Sequence, residues 1–284
     1  ADHLHAVELV LADGTVAMVG GDHDDLSDVR DNANLIVASH ADAIERRMPP
    51  GLVKRWSGYG LDRSLRAGGD LTQLVAGSEG TLAGVTSAVL RVVPTPSTRH
   101  LGVLFFSSVE EALQTTVELA DLGAAAIEQL DSVVLDPTIG QHAFAPARAL
   151  LGLDDRPASA ILLVELFDDR DDRLAELERR RLGDRRLLLR SAVDQELVWG
   201  IRRAGLSLLT GRKGPAKPVG FIEDVCVRPD QLPEYFSGLR HILEPLGLEA
   251  SFYGHAASGE LHVRPILDLH RSEDVSALRR VADA

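Results

Sequence analysis

Length, composition and charge exclude several classes of protein for this 284-residue chain. Its net charge of −13 argues against a nucleic-acid-binding face, which needs clustered lysine and arginine. The single cysteine, Cys226, can form neither an internal disulfide nor an iron–sulfur cluster, so no cluster is expected in this segment and a reducing, cytoplasmic location is predicted. We also find no apolar run of the length that a transmembrane segment requires.

The first part of the chain carries the pattern of a small α+β region. Two β-rich runs in residues 5–20 flank the turn dipeptide Asp13-Gly14 and predict a hairpin. A polar helical connection is expected over residues 22–50. Residues 70–94 then combine a short apolar run, a glycine-rich turn and a run of β-branched residues.

A linker is predicted at residues 94–100, where two prolines interrupt the pattern. It separates a first domain at residues 1–97 from a second at residues 98–284. In the second domain strands alternate with helices, which indicates an antiparallel sheet covered by helices, an α+β fold of ferredoxin-like type. The predicted strands are residues 101–107, 159–167, 187–193, 218–227, 250–255 and 260–269, and the predicted helices are residues 108–123, 170–183, 196–209 and 230–247.

Local signals predict where two of these helices begin. Ser108 is expected to cap the first of them, with Glu111 completing a capping box. Asp230 is expected to cap the helix over residues 230–247. For residues 125–135 the pattern leaves strand and helix both open.

The stretch GSEGTLAG, residues 77–84, contains three glycines and two small hydroxyl residues. Glycine lets the backbone approach a ligand closely, and backbone amides can then point at phosphate oxygens. The same composition is typical of a tight structural turn. From the residues alone, a structural turn and a ligand-facing loop both remain open.

A basic window lies between Leu197 and Ile222, where no acidic residue occurs. Arginine can grip a carboxylate in bidentate fashion, so the window is a candidate site for an anionic substrate. A solvated basic loop is the other reading. The cations in the window are Arg202, Arg203, Arg212, Lys213 and Lys217.

Two histidines, His255 and His262, flank a turn of small residues in GHAASGELH. Imidazoles on neighbouring strands of a hairpin can lie on one face and share a metal or bracket a substrate hydroxyl. Ordinary polar residues near a turn are the alternative.

Several of these motifs occur together in a known family. SGYGLD at residues 57–62, the glycine-rich segment at residues 70–96, FIEDVCVRPDQLPEYF and GHAASGELHVRP resemble the FAD-linked oxidases. That group includes D-lactate dehydrogenases and the glycolate oxidase flavin subunit, within the vanillyl-alcohol-oxidase-type flavoproteins. The resemblance is closest to long bacterial members that also carry an iron–sulfur region. It implies that residues 1–97 are the second part of an FAD-binding domain and residues 98–284 a truncated C-terminal substrate domain, so that the chain is a middle fragment of its parent.

The resemblance also implies site residues. His255, His262 and Arg202 match the family's catalytic positions, and the two histidines its metal ligands, with a divalent ion such as zinc. Arg202 corresponds to the arginine that binds the substrate carboxylate, and Lys217 is a possible substitute for a lysine that Ile222 replaces here. A third metal ligand is expected from a glutamate downstream. The FAD contacts would be Gly58, Tyr59, Gly77, Ser78, Glu79, Gly80, Thr81, Leu82 and Val85.

The function that this implies is oxidation of a small anionic 2-hydroxy acid, D-lactate-like, by hydride transfer to FAD, with an unknown electron acceptor. The parent protein could be peripheral to a membrane. The alternative is a non-catalytic structural module of the parent that binds no flavin by itself.

Overall fold

The computed structural model describes residues 2–168 and 172–284, apart from the side chain of Asp224. Two compact units are present, the first ending at Thr95 and the second beginning at Pro96. The unit boundary lies close to the linker that the sequence predicts. Whether the two units fold independently stays a prediction.

The first unit contains a four-stranded antiparallel sheet in the order β3-β2-β1-β4. The predicted hairpin is present as β1 and β2, and the predicted polar helical connection forms α1 and α2. Val7, Leu9 and Val19 form the centre of its small core. The elements are β1 (Leu4–Val10), β2 (Val16–Gly20), β3 (His23–Asp24), α1 (Ser27–Ser39), α2 (Ala41–Arg47), α3 (Leu61–Arg66), α4 (Leu71–Val75) and β4 (Gly84–Leu90).

The second unit follows the predicted alternation of strands and helices. Short 3₁₀ turns occur between several of its elements. The elements are β5 (Arg99–Phe106), α5 (Val109–Glu118), β6 (Ala126–Asp131), α6 (Ser132–Leu135), α7 (Ala145–Leu151), β7 (Ala160–Phe167), α8 (Arg173–Arg180), β8 (Arg185–Leu189), α9 (Ala192–Thr210), β9 (Lys217–Pro218), β10 (Ile222–Cys226), α10 (Leu232–Leu243), β11 (Ala250–Tyr253), β12 (Glu260–Leu267) and α11 (Ser272–Asp283).

The strand order confirms the ferredoxin-like expectation. Four antiparallel strands lie in the order β6-β7-β5-β8, with α5 connecting β5 to β6 and α8 connecting β7 to β8. A second antiparallel sheet has the order β10-β12-β11, with β9 pairing to the far end of β12. An isolated bridge between Gln129 of β6 and Gly254 after β11 joins the two sheets. We call this bridge the seam.

Helices cover both faces of the first of these sheets, because β5 is apolar on both sides. Leu104 and Phe106 contribute to a core shared with α5, α8 and α10. Val103 and Phe105 contribute to a second core shared with α6, α7 and α9. The second face matters for function, since α9 carries much of the basic window.

Some element boundaries differ from the expectation. Residues 125–135 are a strand followed by a short helix, because Asp131 ends β6 and caps α6 by accepting a hydrogen bond from the Val134 amide at 3.1 Å. The strand predicted at residues 187–193 was too long: it ends at Leu189, since Ser191 caps α9. Part of the helix predicted at residues 170–183, namely residues 170 and 171, lies outside the described residues.

The predicted helix caps were partly right. Ser108 does cap α5, accepting from the Glu111 amide at 3.2 Å, but the Glu111 carboxylate accepts from Ser107 rather than completing a box. Asp230 was the wrong cap for α10, because residues 229–231 form a 3₁₀ turn and its carboxylate pairs with Arg228. Within the described residues, no helix combines the length and apolar character that a membrane span needs.

Candidate active site

A polar cluster lies beside the seam, on the α9 face of the sheet. We call it the seam cluster; its members are Glu128, Arg202, Tyr253, His255, Glu260 and His262. The seam holds β6 against the hairpin through two backbone hydrogen bonds, from the Gln129 amide to the Gly254 carbonyl at 2.9 Å and from the Gly254 amide to the Gln129 carbonyl at 3.0 Å. Glu128 and His255 therefore stand next to the two bridged residues.

Gly254 and Gly259 are needed for the backbone of the hairpin. Gly254 has φ +155°, and a Cβ there would meet the Glu260 carbonyl oxygen at 2.8 Å. Gly259 has φ +75°, and a Cβ there would lie 1.9 Å from the carbonyl oxygen of Val227. Only glycine allows this approach, so these two positions fix the turn that separates the histidines.

The two histidine rings lie together, as the hairpin geometry predicts. Their ring centroids are 5.6 Å apart at an interplanar angle of 77°. His262 on β12 is the direct cross-strand partner of Tyr253, and those two rings are 5.1 Å apart. The expected proximity is therefore present, while the catalytic and metal-binding roles of the histidines stay predictions.

Glu128 connects the histidines to the basic window. Its Oε1 accepts a hydrogen bond from His255 Nδ1 at 2.7 Å, and its Oε2 accepts one from Arg202 Nε at 2.7 Å. The side chains of Glu128 and Arg202 are only 10% and 14% exposed. Charges this buried require partners, and each supplies one to the other.

Arg202 reaches the cluster because it lies on the same face of α9 as the buried Val198, one turn earlier. Its guanidinium carbon is 5.5 Å from the centre of the Tyr253 ring. Among the described residues, its terminal nitrogens have no hydrogen-bond partner. Those two nitrogens are the groups that a ligand carboxylate could engage in bidentate fashion.

The other cations of the basic window are placed elsewhere. Arg203 pairs with Glu196 on the surface, and Arg212 pairs with Glu249 at 3.0 Å. Lys217 lies on β9, opposite Leu267 at the far end of β12 from His262, and donates to the carbonyl of Arg212. Lys217 is thus not brought into the seam cluster, which leaves Arg202 alone in that role.

A third potential metal donor comes from the hairpin itself. The Glu260 side chain is buried, and one donor atom each from His255, Glu260 and His262 lie within 4.8 Å of one another. Two imidazoles and a carboxylate form a donor set that zinc accepts in sites with an open position. The residues therefore fit a divalent metal without the downstream glutamate that the resemblance implied.

Asp131 secures the far side of the hairpin. Its carboxylate accepts from the Phe252 amide at 2.6 Å and from the Ser251 hydroxyl at 3.0 Å, which ties β11 to the end of β6. Burial raises the pKa of Asp131 to about 7, against the opposing effect of these hydrogen bonds. Burial also raises the pKa of Tyr253, which packs inside the cluster.

The predicted flavin contacts lie in the first unit, on a loop between α4 and β4. Gly77, Glu79 and Gly80 have φ of 94°, 51° and 76° and are exposed. The loop is held from beneath: the buried Ser78 carbonyl accepts from the Thr81 hydroxyl at 2.6 Å, and that hydroxyl meets the Tyr59 hydroxyl at 2.9 Å. A Cβ at Gly80 would meet nothing within 4 Å.

The remaining predicted contacts surround this loop. Gly58 is open in the same way as Gly80, and its carbonyl lies 3.0 Å from the position of a Cβ on Gly77. Leu82 and Val85 are exposed, and Val85 lies on β4. An exposed loop with left-handed glycines and open space beside it fits one wall of a cofactor site.

Sequence reasoning missed the residue that organises the cluster. Glu128 stands in AAIEQLDSVVL, whose strand was left open, so its direction could not be assigned. The available signal was an acidic residue in a segment rich in apolar residues, which a buried partner would explain. Glu260 has no signal of its own in the sequence GHAASGELH, and Tyr253 could be found only from its pairing with His262.

Comparison with known proteins identifies relatives over most of the chain. The D-2-hydroxyglutarate dehydrogenase of Escherichia coli is 30% identical over 230 residues, which is 75% of this chain and 22% of that protein. The glycolate oxidase subunit GlcD of Bacillus subtilis is 27% identical, over 75% of this chain and 45% of its own. The D-lactate dehydrogenase of Archaeoglobus fulgidus is 24% identical, over 94% of this chain and 49% of its own. The chain thus spans about a fifth to a half of these relatives.

Solved structures share the fold at low sequence identity. The crystal structure of p-cresol methylhydroxylase with substrate bound matches with a TM-score of 0.57 at 13% identity, over 99% of this chain and 54% of that chain. An alkyldihydroxyacetonephosphate synthase matches with a TM-score of 0.52 at 13% identity, over 99% of this chain and 47% of its own.

These likenesses concern the fold alone. Residues 95–284 match the family described as FAD linked oxidases, C-terminal domain. The chain belongs to the FAD-linked oxidase family, as the sequence resemblance predicted. Membership of the iron–sulfur-containing branch and the status of a middle fragment stay predictions.

Proposed function

We propose that this chain is the substrate-recognition part of an FAD-dependent dehydrogenase that oxidises a small 2-hydroxy acid. The observation that carries the proposal is the seam cluster, in which Glu128 holds Arg202 and His255 within one hydrogen-bonded unit. A 2-hydroxy acid presents a carboxylate next to a hydroxyl. The cluster offers a cation for the first and imidazoles for the second.

Arg202 binds the substrate carboxylate in this proposal. Its Nε is held by Glu128, so the planar guanidinium is fixed before substrate arrives, and its two terminal nitrogens can engage a carboxylate as a fork. The surrounding burial strengthens the contact, because charge-assisted hydrogen bonds gain from a low local dielectric.

The histidines act on the hydroxyl group. His255 and His262 stand side by side, and either imidazole can hold the hydroxyl proton as it leaves. The family's cofactor, FAD, would accept the hydride from the α-carbon when bound. The residues of this chain that would line its site are those of the exposed loop at residues 77–85, with Gly58 and Tyr59.

A divalent metal is the alternative occupant of the same cluster, because an imidazole nitrogen that binds a metal cannot also take up a proton. His255, Glu260 and His262 would hold it, and such an ion lowers the pKa of a coordinated hydroxyl and so eases proton removal. The names of the relatives, D-2-hydroxyglutarate dehydrogenase and D-lactate dehydrogenase, support a D-hydroxy acid as the substrate class.

The test is a dehydrogenase assay on the flavoprotein that contains this segment, with a dye as electron acceptor. D-lactate, D-2-hydroxyglutarate and glycolate are compared with L-lactate. Arg202→Ala removes a charge-assisted contact of about 2 kcal/mol or more and is expected to lower kcat/KM more than tenfold. Full activity of this variant on the best substrate would contradict the assignment.

Two further variants separate binding from folding. Arg203→Ala is the matched control, because Arg203 is the next residue on α9 but pairs with Glu196 at the surface, and it is expected to keep wild-type kcat/KM. Arg202→Lys keeps a cation beside Glu128 but loses the fork, so it is expected to fold normally and still lose most of kcat/KM.

We also propose that the chain alone holds FAD weakly or not at all. The loop at residues 77–85 is largely exposed and fits one wall of a site. The purified chain is therefore expected to lack flavin absorbance. Tightly bound stoichiometric FAD would overturn this point and leave the role of Arg202 standing.

A further inference from the structure

Glu128 divides its two oxygens between the two functional groups of the cluster. One oxygen takes His255 Nδ1 and the other takes Arg202 Nε, each at 2.7 Å. We propose that Glu128 is the positioning residue of the site: it locks His255 in one tautomer, with Nε2 facing the donor cluster, and aims Arg202 with the same carboxylate. What the lock is for rests on the proposed function. The tautomer of His255 is a property of this chain and can be measured without that function.

Hydrogen-bond capacity fixes the tautomer. A carboxylate only accepts hydrogen bonds, so a neutral His255 must carry its proton on Nδ1. The lone pair then lies on Nε2, which is the ring atom available to a metal or a substrate proton. Outer carboxylates that hold a ligating imidazole in this way are a recurrent feature of metal sites, and losing them costs about 10–100-fold in metal affinity.

A purely structural ion pair would not need this arrangement. Burial of Glu128 requires a partner, and Arg202 alone supplies one. His255 is 42% exposed and could face water at no cost. Its ring is instead turned onto Glu128, beside His262.

The backbone explains why Glu128 can do both tasks. It lies on β6 directly before Gln129, and His255 directly follows Gly254, so the seam sets the distance between them. Arg202 arrives on α9 from the layer above the same face. Three separate elements therefore bring together the carboxylate and the two groups that it contacts.

A single substitution exposes the lock. In Glu128→Gln the amide has one accepting oxygen and one donating nitrogen. Arg202 can only donate, so the amide oxygen must face it, and the amide nitrogen must face His255. His255 Nδ1 then has to accept, which moves the ring proton to Nε2 and blocks the atom needed for ligation. The variant should thus invert the tautomer while barely changing the size of the side chain.

The experiment is long-range proton–nitrogen NMR on the purified chain labelled with ¹⁵N-histidine, at pH 8, with His255→Gln used to assign the signal. In wild type we expect the Nδ1–H tautomer of His255, although free histidine in water favours Nε2–H. Glu128→Gln is expected to give Nε2–H. Glu165→Gln is the matched control, since Glu165 lies on the neighbouring strand β7 outside the cluster, and it should leave the tautomer unchanged.

Zinc titration by calorimetry gives a second readout. Glu128→Gln is expected to bind Zn²⁺ at least tenfold more weakly than wild type, and Glu165→Gln with wild-type affinity. A wild-type His255 in the Nε2–H form would overturn the proposal, and so would a Glu128→Gln variant that keeps Nδ1–H. If Glu128→Gln does not fold, the wild-type tautomer still decides.

The outcomes separate this inference from the proposed function. A tautomer that inverts as expected, in a flavoprotein that oxidises none of the hydroxy acids, would retain the lock and reject the proposed substrate. Hydroxy-acid oxidation combined with a wild-type His255 in the Nε2–H form would reject the lock and retain the proposed substrate.

Discussion

The strands β4 and β5 are of similar length and lie on either side of the predicted linker in the sequence, yet their burial differs. All seven residues of β4 are exposed, including Val85, Val89 and Leu90. The last six residues of β5 are buried on both faces. The second unit therefore contains the layers that cover its central strand. The first unit presents an apolar strand, and the glycine-rich loop before it, to open space.

The same contrast holds for the two candidate sites. In the seam cluster Glu128, Arg202 and His255 are joined by hydrogen bonds, which hold these side chains in place before a ligand arrives. In the loop at residues 77–85 a Cβ on Gly80 would meet nothing within 4 Å, and one on Gly84 would make only ordinary contacts with Val10. Single substitutions should therefore lower stability more in the hairpin of the seam cluster than in the loop at residues 77–85. Four predictions test this comparison, beginning with the largest effect.

Limited proteolysis should remove the first unit and spare the second. Residues 91–95 follow an exposed strand and are themselves exposed, so a protease can bind them without unfolding a core. A resistant fragment beginning near Pro96 is expected by mass spectrometry. Equal digestion of both units would show that the two differ less in stability than the burial of β4 and β5 implies.

Gly259→Ala should destabilise the second unit by about 2–4 kcal/mol, from a left-handed backbone and a clash with the Val227 carbonyl. The measurement is urea unfolding followed by Trp199 fluorescence in a Trp56→Phe background, because each unit contains one tryptophan. A loss below about 1 kcal/mol would mean that the turn relaxes, and the hairpin would then be less constrained than its geometry indicates.

Asp131 should make the stability of the second unit fall as the pH rises. Its pKa is raised to about 7 in the folded chain by burial, so the folded state holds the proton more tightly than the unfolded state. Stability is therefore complete below about pH 4, the ordinary value for an aspartate, and is lost as the pH rises through about 7. Asp131→Asn is expected to flatten this dependence, a difference on the order of 1–4 kcal/mol between pH 5 and pH 8.

An aspartate in the first unit gives the opposite sign. The Thr15 amide lowers the pKa of Asp13, so its contribution is present above the ordinary aspartate value and is lost on acidification. Asp13→Asn should leave the interval from pH 5 to pH 8 unchanged. The Asp131 prediction has its own contradicting outcome. If the stability of the second unit rises from pH 5 to pH 8, and Asp131→Asn leaves this profile unchanged, Asp131 is ionised in the folded chain.

Gly80→Ala should have the smallest effect on stability, about 1 kcal/mol, because only the left-handed backbone resists it. Its φ of +76° matches that of Gly259, but a Cβ finds open space. Unfolding followed by Trp56 fluorescence in a Trp199→Phe background measures it. Costs as large as those of Gly259→Ala would show that the loop is covered by contacts as tight as those of the hairpin.

The sequence predicted much of the second unit because its signals are local. Continuous apolar runs predicted β5 and β7, Ser108 predicted the start of α5, and the histidine spacing predicted two rings on one hairpin. The Glu128 contacts could not be predicted, because they join residues separated by 74 and 127 positions. The exposure of β4 was equally inaccessible, since a β-branched run predicts a strand and not what covers it.

Arg202 and Lys217 show the limit of reading charge from sequence. Both belong to one basic window, but Arg202 lies on α9 and shares the buried face of Val198, while Lys217 follows the helix on β9. A charge count weights the two equally. Their places in the fold distinguish them, and a charge count contains no information on those places.

The seam has a consequence for how such a site can diverge. Two backbone hydrogen bonds between Gln129 and Gly254 set the spacing of Glu128 and His255, and Asp131 ties the same two strands together. Loops between the bridged residues can lengthen, shorten or change charge without shifting the pair. The reacting groups can therefore stay constant while the residues that contact the rest of a substrate are exchanged.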